Sequence, residues 1–548
     1  MNKTAVSNFK TYNDIVRECT RQYISGKQSA GTIPAPKDMA NELLEKIQNE
    51  VELENVVLGD KTRRYKMPKH LENASIAELI LAFYPVKRIS WTESDRESNN
   101  LLCIYQTGGE NRGIYAANRN AFANLIREFH YCISEKDIGE IMSILKDKSP
   151  LCSVTDNPDL IAVNNGIFDY RSKQLMDFSP DYVFTVKSKV NYNPQAGNVT
   201  IHNPDDGTDW DVETWFDSLS DDPDIVKLLW QITGAVVRPN VPWDKVACFY
   251  SEVGNNGKGT LCELLRQLCG NFAAISFEQF AQPFLLEQLI EAGAVIADEN
   301  NTSAYLKSAE ALKCIITGDC FTINGKYKKP VAFRFRGLMV QCVNSLPKFS
   351  DRSDSLARRI LMVPFEKCFT GQERKYIKAD YLKRPEVLEY VLKKVLNTSF
   401  YSFDEPAACK GLLNEFRQFN DPVREFLDEM LPELVWDLVP IGFLYDLYKA
   451  WFAKNNPNGL VLRKRQFIKD VNRLMRNDSG WQIISDSPQP PKNRMDKPEP
   501  LIVEYNLTAW KNPVYHGNDP DRICLPPLKG SYRGILRVQG AVTGKQPD

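Results

Sequence analysis

Histidine is scarce in this chain. The four in 548 residues, His70, His130, His202 and His516, lie far apart along the sequence. Such a set argues against a histidine-built metal centre. Long apolar runs are missing as well. None reaches the roughly 18 residues that a membrane-spanning helix requires, so no membrane partner is expected. The opening residues, MNKTAVSNFKTYNDIV, lack the apolar core of a signal peptide. No two of the 13 cysteines are spaced CxxC. An odd, scattered set of that kind points to reduced thiols and a cytoplasmic setting. Nor is charge of one sign in excess. The 69 Lys and Arg face 70 Asp and Glu, for a net charge of −1. Any affinity for nucleic acid must therefore come from local patches.

The hydrophobic content, 43%, is enough for several cores over this length. Residues 1–150 read as a largely helical N-terminal region of unassigned role, with apolar residues at three and four spacing in MANELLEKIQNEVELENV and RNAFANLIREFHYCISEKDIGEIMSILKD. Residues 151–225 read as short strands and turns, with Asn165-Gly166 as a turn signal. Helices are expected from Val212 to Leu219 and from Asp224 to Val236. In 226–375 the apolar runs VACFY, AVIADE and LMVQCVN alternate with helical stretches. That rhythm predicts an α/β layer around a parallel sheet. Residues 376–490 read as helices with a compact basic region. Residues 491–548 form a tail rich in proline and glycine, expected to be extended or loosely packed.

The stretch VACFYSEVGNNGKGTLCELLRQL joins a strand to a helix through Gly254, Asn256, Gly257, Lys258, Gly259 and Thr260. Backbone amides of such a loop can wrap phosphates, the lysine can reach the β and γ phosphates of ATP, and a hydroxyl can hold Mg2+. Two features depart from GxxxxGK[ST]: Glu252 occupies the first glycine position, and the hydroxyl arrives one place late, as Thr260. A polar turn without a ligand is the plain alternative. The next strand ends in Asp298 and Glu299. The first suits a magnesium shell and the second an attacking water. A third strand ends at Asn344, whose amide could bond that water or the γ phosphate, or simply form a turn. Arg358 and Arg359 follow. One could reach the nucleotide of a neighbouring subunit, or both could be surface arginines.

The order of these motifs resembles the superfamily 3 helicases, in particular the phage and plasmid primase–helicases related to the poxvirus primase–helicase. GNNGKGT resembles their phosphate loop, AVIADEN the acidic motif and ITGDCFTINGKYKKPVAFRF the motif with a DNA-contacting hairpin. LMVQCVNSLP resembles the sensor motif and SDSLARRI the arginine-finger segment. The similarity runs from about 155 to 480. It implies an AAA+-like P-loop core with a C-terminal winged-helix-like domain, and a ring, usually a hexamer, around DNA. It further implies ATP between subunits, 3′-to-5′ translocation and a phage or mobile-element origin, hence a bacterial host cytoplasm. No primase signature is read in the first 155 residues, so a separate primase or loader is an expected partner.

Two patches are candidates for DNA. FTINGKYKKPVAF has apolar arms around Asn324-Gly325, a hairpin signal, and carries Lys326, Tyr327, Lys328 and Lys329. In a ring these would follow single-stranded backbone in the pore, with Tyr327 stacking on a base or packing in the hairpin. The second, LVLRKRQFIKDVNRLMRNDSGW, holds Arg463, Lys464, Arg465, Lys469 and Arg473. It could enter duplex origin DNA as a recognition helix, or merely close the motor. The expected activity is ATP-dependent DNA unwinding, with a possible second role as replication initiator. The alternative is an ATP-regulated DNA-binding or packaging protein that does not separate strands.

Overall fold

The computed structural model describes residues 10–31, 33–58, 64–91, 100–300, 309–323, 330–349, 354–455, 461–476, 480–483 and 487–538. They fall into two compact units, Met1–Leu412 and Leu413–Asp548. No helix among the described residues is long and apolar enough to cross a membrane.

The N-terminal part of the first unit contains helices Tyr12–Ala30, Pro36–Leu58, Asn73–Phe83, Arg119–Phe129 and Glu135–Lys148. The first starts at a capping box built by Thr11 and Asp14 and stops at Gly31, which takes a left-handed φ of 66°. Leu43, Ile76, Phe122 and Ile141 lie in the shared core. Helices make up most of this region, as expected, and short strands add to them. Strands Tyr115–Ala116, Leu101–Tyr105, Val86–Ser90 and Leu151–Ser153 form a four-stranded sheet in that order. Strands this short carry too few alternating positions to stand out beside 3.6-residue periodicity. The fold also brings His70 and His130 together, with ring centroids 4.2 Å apart.

Strands Leu160–Val163 and Gly166–Asp169 pair with Val163 opposite Gly166. Asn164 and Asn165 therefore make the turn, one place earlier than the sequence signal, and Gly166 opens the next strand. Only glycine fits there, because a Cβ would stand 2.4 Å from the Met176 carbonyl. The predicted helices appear as Val212–Asp217, capped by Asp211, and Pro223–Val236, capped by Asp222.

The central layer is a parallel sheet. Its strands are β1 (Val246–Tyr250), β2 (Phe272–Ala273), β3 (Ala294–Ala297), β4 (Met339–Val343) and β5 (Ile360–Pro364). Their spatial order is β2-β3-β4-β1-β5. β1, β3 and β4 are buried almost throughout. Burial on both faces explains why they read as continuous apolar runs. Helix α1 (Lys258–Cys269) follows β1 and buries Leu261, Leu264, Leu265 and Leu268. All of these belong to one core with Phe249, Ile296 and Val340.

Outside that sheet, strands Phe321–Ile323 and Val331–Phe333 pair with Ile323 opposite Val331. The arms of the expected hairpin are thus present. Asn324 and Gly325, between those arms, lie outside the described residues. Lys326, Tyr327, Lys328 and Lys329 lie outside the described residues.

In the second unit, helix Pro422–Met430 precedes strand Leu438–Pro440, helices Ile441–Asn455 and Lys464–Met475, and strand Trp481–Ile483. The chain returns as strand Gly534–Arg537, which lies between the other two strands and pairs antiparallel with both. This corrects the reading of a loose tail for residues 491–538; 539–548 lie outside the described residues. Met495, Leu501, Ile502, Leu507 and Ile535 from that stretch join a core with Trp436, Trp451 and Phe467. Gly534 permits the pairing, since a Cβ would come within 1.9 Å of the Val439 carbonyl. The proline content masks this role, because the apolar anchors are widely spaced.

Candidate active site

The carboxyl ends of β1, β3 and β4 share one edge of the sheet, where open α/β sheets place their ligands. From β1 the chain enters the loop at Ser251. Two residues there are left-handed, Asn255 at φ 54° and Gly257 at φ 87°. Glycine is required at 257, because a Cβ would lie 2.7 Å from Leu219 Cδ2. The loop is braced on both sides. Asn256 is buried and donates to the Val253 carbonyl. From outside, the Phe369 amide donates to the Asn255 carbonyl at 2.7 Å, and Asn255 Nδ2 donates to Glu373 at 3.0 Å. Gly254 is exposed and uncrowded.

Lys258 begins α1 and is 6% exposed. Its Nζ donates to the Ser251 carbonyl at 3.3 Å and to Asn344 Oδ1 at 3.1 Å. Burial pushes its pKa down from the usual lysine value. The ammonium is thus held over the loop by neutral acceptors, without a carboxylate partner among the described residues. An anion delivered there would supply the missing charge. Thr260 is half-buried in the first turn of α1, and Gly259 lies beneath Lys378, whose Nζ would be 3.6 Å from an added Cβ.

Register explains the acids. β3 and β4 pair Ala297 with Gln341, so Asp298, just past the end of β3, comes beside Cys342 in β4. Asp298 meets Arg266 of α1, with Oδ1 2.5 Å from the guanidinium. That oxygen is buried, and the close contact is not aligned as a hydrogen bond. Glu299 is exposed, and Asn300 ties the strand ends together, donating to the Cys342 carbonyl at 2.9 Å.

The two arginines differ. Arg358 is exposed. Arg359 is half-buried and folds back on Ser355, donating to its carbonyl and hydroxyl. The structure thus brings together Lys258, Thr260, Asp298 and Asn344 through adjacent elements, with Glu299 at the same strand end. It leaves Arg358 facing outward.

Residues not singled out in the sequence also belong here. A cleft of about 1080 Å3 adjoins the loop, lined by Trp210, Gly257, Thr260, Phe369 and Lys378 among others. Arg266 and Lys378 carry no local signal, since each reads as an ordinary polar face of a helix.

On the second unit, Phe467, Val471 and Met475 bury one face of helix Lys464–Met475. Arg463, Lys464, Arg465, Lys469 and Arg473 are exposed. Arg473 is already paired with Asp421 at 2.7 Å.

Three family models match this chain. They are "D5 N terminal like" over residues 29–221, a family of unknown function (DUF5906) over 249–359, and "Poxvirus D5 protein-like" over 418–487. A Frog virus 3 (isolate Goorha) protein described as "Putative helicase 022R" is 24% identical over 273 residues, covering 43% of this chain. The matched part spans only 28% of that relative's length. Among solved structures, the apo C-terminal region of NrS-1 aligns with a TM-score of 0.38 and 14% identity, over 72% of this chain and 86% of that one. A 305–718 form of it gives 0.41 and 14%, over 84% and 98%. D5-type models thus match on both sides of the sheet, and with the viral relative these matches support a likeness to the phage and viral primase–helicase family related to the poxvirus D5 protein.

Proposed function

We propose that this protein is an ATP-dependent DNA helicase that works as an AAA+-like ring, with ATP bound between subunits. The observation that carries the reading is the contact of Lys258 Nζ with Asn344 Oδ1 beside the Asp298 strand end. Three motifs far apart in sequence meet at one sheet edge. The αL glycine, the buried lysine, which has no carboxylate partner among the described residues, and the adjoining cleft fit a nucleoside triphosphate. Lys258 neutralises phosphate charge, the cleft seats the base and ribose, and Lys378 adds a cation beside the first turn of α1. Asp298 and Thr260 are the residues that would hold Mg2+, which supplies charge neutralisation at the phosphates. Glu299, exposed at the strand end, orients and polarises water. Asn344 holds the lysine and reports on the γ phosphate. Arg358 serves a neighbouring subunit, while Arg359 positions its segment through Ser355.

The motor would draw single-stranded DNA through a hexameric pore past Lys326, Tyr327, Lys328 and Lys329, moving 3′ to 5′. The order helix, strand, helix, helix, strand, strand in the second unit supports a winged-helix reading, with the chain from 484 to 533 inserted between its last two strands. The exposed basic side of helix Lys464–Met475 then meets duplex DNA, which would allow an initiator role at an origin.

The test is strand displacement on duplexes bearing a single 3′ or 5′ tail, with magnesium and ATP, and Lys258→Ala as control. Unwinding from the 3′ tail that depends on Lys258 is the expected result. Stable DNA binding and ATP hydrolysis without displacement would favour an ATP-regulated binding or packaging protein.

A further inference from the structure

Two buried thiols beside the phosphate loop have no part in that chemistry. Cys262, one turn into α1 beyond Lys258, is fully buried, and Cys342, two residues before Asn344, is 3% exposed. Their sulfurs are 3.4 Å apart. The Asp298 carboxylate completes the group, and the three ligand atoms all lie within 4.8 Å of one another. Three elements converge to make it. The pairing of Ala297 with Gln341 sets Asp298 beside Cys342, and α1 brings Cys262 across from the helix layer.

We propose that Cys262, Cys342 and Asp298 form a binding site for a thiophilic divalent cation of the zinc class. A tetrahedral ion with bonds of about 2.3 Å to sulfur sets two sulfurs roughly 3.8 Å apart. The thiol pair therefore needs to open by only about 0.4 Å to accept one. The carboxylate oxygen must close to roughly 3.6 Å from each sulfur, a short swing of the Asp298 side chain away from Arg266. The incoming cation replaces the guanidinium as the counter-charge. Each thiol gives up its proton on binding, and three protein ligands leave a fourth position for water. Magnesium, a hard ion, takes oxygen ligands and leaves the sulfurs alone. The site therefore selects by softness.

One consequence rests on the ATPase reading: an ion held here claims Asp298 and blocks the magnesium site. Binding itself does not depend on that reading.

The test is a titration of the full chain, reduced and stripped of metal, with cadmium chloride. The readout is thiolate-to-cadmium charge-transfer absorption in the presence of a competing chelator. Cys262→Ala and Cys342→Ala are each expected to weaken the tightest binding step at least tenfold, and Asp298→Asn to weaken it by a smaller factor. Cys320→Ala, at an exposed thiol, is expected to leave that step unchanged. Thermal melts check that each variant folds, and Cys262→Ser and Cys342→Ser replace any that does not. Identical titrations of the wild type and both buried-cysteine variants would overturn the proposal, as would an equal loss in Cys320→Ala. The titration reads binding whether or not the protein hydrolyses ATP, so failure of the ATPase reading and failure of this site are separate results.

Discussion

Lys258 Nζ donates to Asn344 Oδ1 at 3.1 Å, joining residues 86 positions apart across neighbouring strands of the parallel sheet. The buried ammonium and the amide act as one unit, but their losses should differ. Lys258→Ala removes phosphate charge neutralisation and is expected to weaken ATP binding at least tenfold, by about 1.4 kcal/mol or more. Asn344→Ala should hold nucleotide with little change yet lose about 10²–10³ in turnover, the size expected for one positioned donor. Fluorescent-nucleotide titration and phosphate release separate the two. Wild-type turnover in Asn344→Ala would remove Asn344 from the site.

The exposure of Arg358 and the inward fold of Arg359 make opposite predictions for two adjacent arginines. Arg358→Ala should keep nucleotide binding and lose about 10³ in hydrolysis, as arginine fingers do. Mixing it with Glu299→Gln should restore part of the activity, because each variant supplies what the other lacks. Arg359→Ala should instead lower stability by about 1–3 kcal/mol through its lost bonds to Ser355, read by urea unfolding. No recovery on mixing would place Arg358 outside any shared site.

Basic residues on helix Lys464–Met475 should separate by their partners. Lys469 and Arg465 are exposed, whereas Arg473 is paired with Asp421. Lys469→Ala is expected to weaken duplex binding at every sequence and to reduce the slope of log affinity against log salt by about 1. Arg473→Ala should change that slope less. An unchanged slope in Lys469→Ala and Arg465→Ala would move DNA off this face.

Glu499 anchors the returning chain of the second unit. It is fully buried, and its Oε2 accepts from the amides of Val435 at 2.9 Å and Trp436 at 3.1 Å. Burial pushes its pKa above the usual carboxylate range, and the backbone donors only partly offset this. A raised carboxyl pKa means the folded state holds its proton to higher pH than the unfolded chain. Its contribution to stability is therefore greatest below the unfolded value and declines as pH rises through the folded one. Glu499→Gln keeps an acceptor without the charge. It should be at least as stable as wild type at pH 8, with the difference closing toward pH 5. Thermal unfolding at the two pH values checks this, and a gap that widens on acidification would reverse the assignment.

Much of the first unit's central α/β layout was legible along the chain. VACFY, AVIA and MVQCV are buried on both faces, so their apolar runs mark them as strands, and Asp298 and Asn344 stand where those runs stop. The glycine and asparagine break before α1 likewise advertised a loop, even with Glu252 and Gly259 out of pattern. The short strands Val86–Ser90 and Leu101–Tyr105 were hidden among strong helical repeats. The strand Gly534–Arg537 was hidden by the prolines before it.

What the sequence by itself determined is local: where strands yield to loops, which residue types stand at those points, and which face of each helix is apolar. These follow from backbone preference and from periods of two and 3.6 residues. Tertiary structure alone decided the partners. Strand register set Asp298 beside Cys342, and packing of α1 brought in Arg266 and Cys262. Register likewise put Ile323 opposite Val331 and Gly534 against Val439. Such contacts depend on which distant surfaces bury one another, and no local pattern encodes that choice.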